Sequence, residues 1–185
     1  MVNSFLTLQQ RMGSHLPVLW EASKLLDIKS VVELGCGYFS TMCFLNRDFF
    51  PNLQSLYSHE VSEEWISRVG KFIKKKDVHR WNPINATKKN NKIKKIKKKV
   101  DLFFVDGDKE HRLFVLREKY NLADIYIVHD INVDKYRRLV VDKFNYVKVF
   151  DNSYNLPSTA VASNTIDVRD REWSLDWGKF LGTTG

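Results

Sequence analysis

The chain has little of what staples, anchors or tiles a protein. Two cysteines in 185 residues cannot build a disulfide framework, so a reducing compartment is expected. Cys36 and Cys43 form no C-x-x-C pair and no cysteine–histidine constellation, which argues against a structural zinc. No apolar run approaches the roughly 18–20 residues that cross a bilayer, and the stretch from Met1 to Gln10 lacks the basic-then-apolar pattern of a secretory signal. A cytoplasmic protein without a transmembrane segment is the expectation. No self-similarity occurs at the roughly 20–50-residue periods of solenoids and propellers. Acids are missing from one stretch in particular. Residues 88–99, from Lys88 to Lys99, hold eight lysines and no carboxylate, which accounts for the whole net charge of +8. The chain is therefore a neutral protein with one basic segment, which implies different partners from a uniformly basic one.

What remains is ordinary globular text, with 43% apolar residues and a length suited to a single domain over residues 1–185. Residues 1–28 read as a helical cap broken near Pro17, residues 84–99 as a lysine-rich insertion, and residues 165–185 as an aromatic tail. In the tail, Trp173, Trp177 and Phe180 fit one helical face that docks on the domain or on a second subunit. Between cap and tail, apolar strands alternate with helices. Strands are expected at residues 30–34, 55–59, 78–81, 100–105, 125–129, 146–150 and 159–162. Helices are expected at residues 40–49, capped by Ser40 or Thr41, at 62–76, 108–120 and 133–144. This pattern predicts an α/β fold with a mostly parallel seven-stranded sheet and helices on both faces. The last two strands are joined too briefly for a parallel crossover, so an antiparallel closing strand is expected.

In such a sheet ligands bind beyond the carboxyl ends of the strands. The first strand runs into Glu33-Leu34-Gly35-Cys36-Gly37-Tyr38-Phe39-Ser40-Thr41, a turn whose glycines permit a sharp bend and close approach of a ligand. Glu60 follows the second strand directly and is placed to accept hydrogen bonds from ribose hydroxyls. A nicotinamide dinucleotide site would carry a third glycine where Ser40 stands.

An acid two residues ahead of the first glycine, Glu60 after strand two, and Asp106-Gly107 after strand four together resemble class I S-adenosylmethionine-dependent methyltransferases. The similarity is greatest to small members with an E-L-G-x-G-x-x-S-T turn, and it extends to Trp65 and to His129-Asp130. It implies a Rossmann-like methyltransferase fold. It also implies S-adenosylmethionine bound by Glu33, Gly35, Cys36, Gly37, Tyr38, Ser40, Glu60 and Asp106, with Trp65 near the adenosine. Asp106, Asp130 and His111 are the implied catalytic residues, with His129 a further candidate base and His15 a residue able to cap the pocket. Some sugar and natural-product O-methyltransferases of this kind hold a divalent metal through aspartates at these places. Asp106 and Asp130 are the counterparts for a magnesium ion, although Ile131 stands where relatives often have a second acid. The expected reaction is methylation of a small-molecule or sugar hydroxyl. No N/D-P-P-Y or N/D-P-P-F motif follows the fourth strand, as it commonly does in amino-methylating nucleic-acid enzymes. Nucleic-acid methylation guided by the lysine segment is the alternative, and a nucleotide-binding module without catalysis is another. The lysines themselves suit nucleic-acid phosphates, an anionic membrane surface or plain solvation, and no aromatics are interleaved for base stacking.

Overall fold

The computed structural model describes residues 13–87, 92–151 and 157–175. Seven strands form one sheet: β1 (Ser30–Leu34), β2 (Ser55–Glu60), β3 (Trp81–Asn85), β4 (Val100–Val105), β5 (Ala123–His129), β6 (Tyr146–Phe150) and β7 (Thr159–Ser163). Their order is β3-β2-β1-β4-β5-β7-β6. The first five pair in parallel, and β7 runs antiparallel to both β5 and β6. The order reverses between β1 and β4, which opens a crevice at their carboxyl ends.

Five helices among the described residues flank the sheet: α1 (Leu16–Ala22), α2 (Ser40–Leu45), α3 (Glu63–Gly70), α4 (Lys109–Glu118) and α5 (Asp134–Lys143). Side chains alternate across a strand, so each continuous apolar strand feeds two cores. Along β4, Leu102 and Phe104 join α1 and α2 through Val18, Leu19 and Phe44. Phe103 and Val105 face the other way, onto Val115 and Leu116 of α4 and Val140 of α5. No helix among the described residues is long and apolar enough to cross a membrane.

The differences from expectation have local causes. Near Pro17, where a break was expected, α1 begins at Leu16, and Pro17 stands in its first turn, which needs no N–H from it. The residue before α2 is Phe39, and neither Ser40 nor Thr41 caps it. Ser62 does cap α3, accepting from the Trp65 N–H, but that helix stops at Gly70 and residues 71–77 continue as turns. The third strand lies at Trp81–Asn85, after a 3₁₀ turn at Val78–Arg80, rather than over residues 78–81. Its Pro83 is tolerated because β3 is an edge strand, paired only to β2. Between β3 and β4 there is only a short 3₁₀ turn, Lys92–Lys95, among the described residues. Trp173 is not helical. It packs on Phe150 with ring centroids 4.8 Å apart and donates to the Val168 carbonyl, which docks the tail on the domain. Trp177 and Phe180 lie outside the described residues.

Candidate active site

The crevice is built first from two glycines. Gly35 has φ +79°, and a Cβ there would stand 2.8 Å from the Asp106 carbonyl oxygen and from the Gly107 Cα. A Cβ on Gly107 would in turn meet the Gly35 nitrogen at 3.0 Å. The turns after β1 and β4 therefore touch backbone to backbone, as only glycine allows. Gly37 has no such constraint: a Cβ would meet only the Ser40 Oγ, at 3.6 Å.

Behind the turn lies Glu33, wholly buried. Its carboxyl accepts from Thr41 Oγ1 at 2.9 Å and Ser58 Oγ at 2.5 Å, and Thr41 Oγ1 accepts the Gly37 N–H at 2.9 Å. Burial pushes the Glu33 pKa up to about 7, against hydroxyl hydrogen bonds that favour the charge. Glu33 thus reaches the cleft through Thr41 and the backbone of the turn rather than as a lining residue.

The cleft itself is a cavity of about 300 Å³. Its walls are the turn from Gly35 to Ser40, Glu60, Trp65, Asp106 to Asp108, and His15 from the N-terminal segment. Glu60 Oε1 accepts the N–H groups of Val61 and Ser62 at 2.7 and 3.0 Å, which fixes the carboxylate at the end of β2. Trp65 Nε1 donates to the Cys36 carbonyl at 2.6 Å, clamping α3 to the turn, and the Tyr38 and Trp65 rings meet edge to face at 5.0 Å. Burial, reinforced by the charges of Glu33 and Glu60, raises the Cys36 thiol far above its usual range, so it is no nucleophile.

Beyond Asp106 the cleft backs onto a charged cluster. Arg112 of α4 donates to Asp106 Oδ1 at 2.9 Å and to Asp130 Oδ2 at 2.7 Å. His129 Nδ1 lies 3.1 Å from Asp106 Oδ1, and its Nε2 lies 2.9 Å from Ser14 Oγ. Burial opposes the charge on Asp106, but the hydrogen bond and charge of His129, with His15 and Arg112, hold its pKa below the usual value. Asp130 sits at φ 57°, a left-handed conformation that aspartate accepts more readily than most residues. His15 stacks at a tilt on Phe104, 5.0 Å away, and its two ring nitrogens are buried without a partner. Burial, then the neighbouring His129, lowers the His15 pKa to about 3, with Asp106 pulling the other way.

The structure brings together Gly35, Cys36, Gly37, Tyr38, Ser40, Glu60 and Asp106 at the cleft, with Asp130 beside Asp106 through Arg112. His111 is not brought there. It adjoins Arg112 on a helix, roughly 100° around the axis, and its charge is felt by His59 instead. Arg112 and Ser14 are the residues that sequence reasoning missed. Arg112 reads as one more polar position on an amphipathic helix, and Ser14 meets a partner 115 residues away.

Asp106 and Asp130 do not fit a divalent cation, because Arg112 already supplies the countercharge for both. His15, Asp106 and His129 bring ligand-type atoms within 4.8 Å of one another, but Asp106 Oδ1 in that set is held by Arg112 and His129.

A mostly parallel sheet closed by antiparallel β7, with a cleft at the β1/β4 switch, is the class I methyltransferase fold. Among solved structures the chain is similar to spermidine synthase from Thermotoga maritima, at 15% identity and TM-score 0.61 over 96% of this chain and 70% of that one. It is similar to an rRNA methylase from Streptococcus thermophilus, at 13% identity and TM-score 0.61 over 83% and 97% of the two chains. A Bacillus cereus O-methyltransferase in complex with S-adenosylhomocysteine matches at 14% identity and TM-score 0.60 over 82% and 80%. No protein-family model matches the sequence, and no curated protein matches it significantly.

Proposed function

We propose that the chain is an S-adenosylmethionine-dependent methyltransferase acting on a hydroxyl of a small molecule or sugar. The observation that carries this reading is the meeting, in one cleft, of the Gly35–Gly107 backbone contact with the carboxylate of Glu60. Bare backbone lets a ligand approach closely, and an acid at the end of β2 suits a ribose diol. Tyr38 and Trp65 add an apolar wall beside it. When bound, the sulfonium cofactor supplies an activated methyl group. Asp106, held ionised, presents negative charge to the cationic end of that ligand. His15, neutral and with both nitrogens unpartnered, hydrogen-bonds and orients the acceptor hydroxyl, whose proton passes to the ionised carboxylate of Asp106. Asp106 and Arg112 thereby act as an electrostatic pair at the back of the site, and no metal step is required of them.

Calorimetric titration of S-adenosylhomocysteine and of NAD tests the reading. The wild type is expected to bind the first and not the second. Glu60→Ala should lose about 1.5–3 kcal/mol for each charged hydrogen bond removed. A wild type that binds no S-adenosylhomocysteine overturns the proposal.

A further inference from the structure

On the face of the sheet that carries α4 and α5, one area lacks a helix among the described residues. A βαβ crossover between β3 and β4 would normally cover it, but this chain places the short turn Lys92–Lys95 and the lysines after it there. Of the described residues of the segment, only Ile93 is driven fully into the core, at 2% exposure. The result is a second cavity of about 410 Å³ that shares no lining residue with the methyltransferase cleft. Its floor is apolar, made by Val32, Tyr57 and Ile84 from three neighbouring strands. Its rim carries Lys95, Lys97 and Lys98, and no described carboxylate pairs with any of the three. Lys99, by contrast, is engaged with Asp124 at 2.5 Å.

His59 also lines the cavity. The residue is 6% exposed and leaves Nδ1 buried without a hydrogen-bond partner. Orphaned buried polar atoms are rare and call for a partner. An apolar floor, a cationic rim and one unmet hydrogen bond define a ligand with three matching parts. Exposed aromatic platforms of the kind that stack single-stranded bases are absent from the described lysine segment, and Tyr57 belongs to the recessed floor.

We infer that this cavity binds a small amphiphilic anion, with its apolar body on Tyr57 and Ile84 and its carboxylate or phosphate held by Lys95, Lys97 and Lys98. A further polar group of the ligand meets His59 Nδ1. The described lysines are then a ligand-holding rim rather than a nucleic-acid track.

The full chain is titrated with anilinonaphthalene sulfonate, followed by displacement with laurate, with dodecyl phosphate and with a short oligoribonucleotide. One equivalent of the dye is expected to bind, and laurate or dodecyl phosphate to displace it, their relative strengths identifying carboxylate or phosphate as the preferred head. The triple variant Lys95→Gln, Lys97→Gln, Lys98→Gln should weaken binding roughly tenfold, the sum of three partly screened charge contacts. Ile84→Trp, which fills the cavity from the edge strand, should abolish binding while the thermal midpoint stays near that of the wild type. His59→Phe should weaken binding without altering its salt dependence. Absence of saturable binding, an unchanged affinity in the triple variant, or displacement by the oligoribonucleotide but by neither amphiphile overturns the inference.

Discussion

Gly35 and Gly37 look equivalent in the sequence, one residue apart in the same turn, yet they have different jobs. Gly35 holds a positive φ, and its Cα side abuts the backbone of Asp106 and Gly107, which cannot move aside as a flexible side chain can. Gly35→Ala should therefore cost about 3 kcal/mol, from left-handed strain plus the backbone clash. Gly37→Ala puts a methyl into ordinary contact with Ser40 Oγ and should change stability by no more than about 0.5 kcal/mol. Urea midpoints of the two variants check the contrast, and equal losses would refute it. At this scale the sequence shows which residues stand at the strand ends, because Gly35, Glu60 and Asp106 follow directly from strand periodicity. It does not show which way they face. Glu33 and Gly35 are two apart, but one supports the turn from behind while the other forms its surface.

At the scale of elements, α4 ties two strand ends together. Asp108 caps it by accepting the Glu110 N–H at 3.0 Å, and one turn later Arg112 reaches both Asp106 after β4 and Asp130 after β5. The guanidinium is mostly buried, and its loss leaves two neighbouring carboxylates with His129 alone beside both. Arg112→Leu should destabilise the protein by about 3 kcal/mol. The same change should create a cation site where the wild type has none. Magnesium is expected to leave the wild-type thermal midpoint unchanged and to raise that of Arg112→Leu. A magnesium shift in the wild type would show that the aspartates bind metal despite the arginine. Elements were legible where local signals agree with the tertiary setting, as at Ser62, whose hydroxyl caps α3. They were misplaced where the setting overrides the signal. Pro83 falls inside β3, beyond the strand expected over residues 78–81, because an edge strand forgives the missing N–H. Arg80, within that expected strand, lies instead in a 3₁₀ turn, buried, paired with Asp77, and donates to the Leu45 carbonyl at 2.7 Å.

For the whole molecule, buried titratable groups set how stability varies with pH. His15 and His59 have pKa values lowered to about 3 and about 4, chiefly by burial, against an ordinary value of 6.5. Their contribution is fully present above pH 6.5 and is lost as pH falls toward those values, because the unfolded chain then binds protons the fold refuses. Glu33 has the opposite sign. Its pKa rises from 4.5 to about 7, so its contribution is complete below pH 4.5 and is lost as pH climbs to about 7. Between pH 4.5 and 6.5 two histidines outweigh one acid and stability rises with pH; above pH 6.5 only Glu33 still acts and stability falls. These three groups therefore place the maximum near pH 6.5. The Glu33→Gln variant isolates one arm. Glutamine accepts from Thr41 and Ser58 without ionising, so the variant should gain about 3 kcal/mol on the wild type between the lower and upper ends of the Glu33 window. Urea unfolding of both proteins near pH 5 and near pH 8 measures that difference. Parallel profiles for the two would mean that Glu33 is ionised within the fold at every pH tested, and that its hydroxyl partners outweigh its burial.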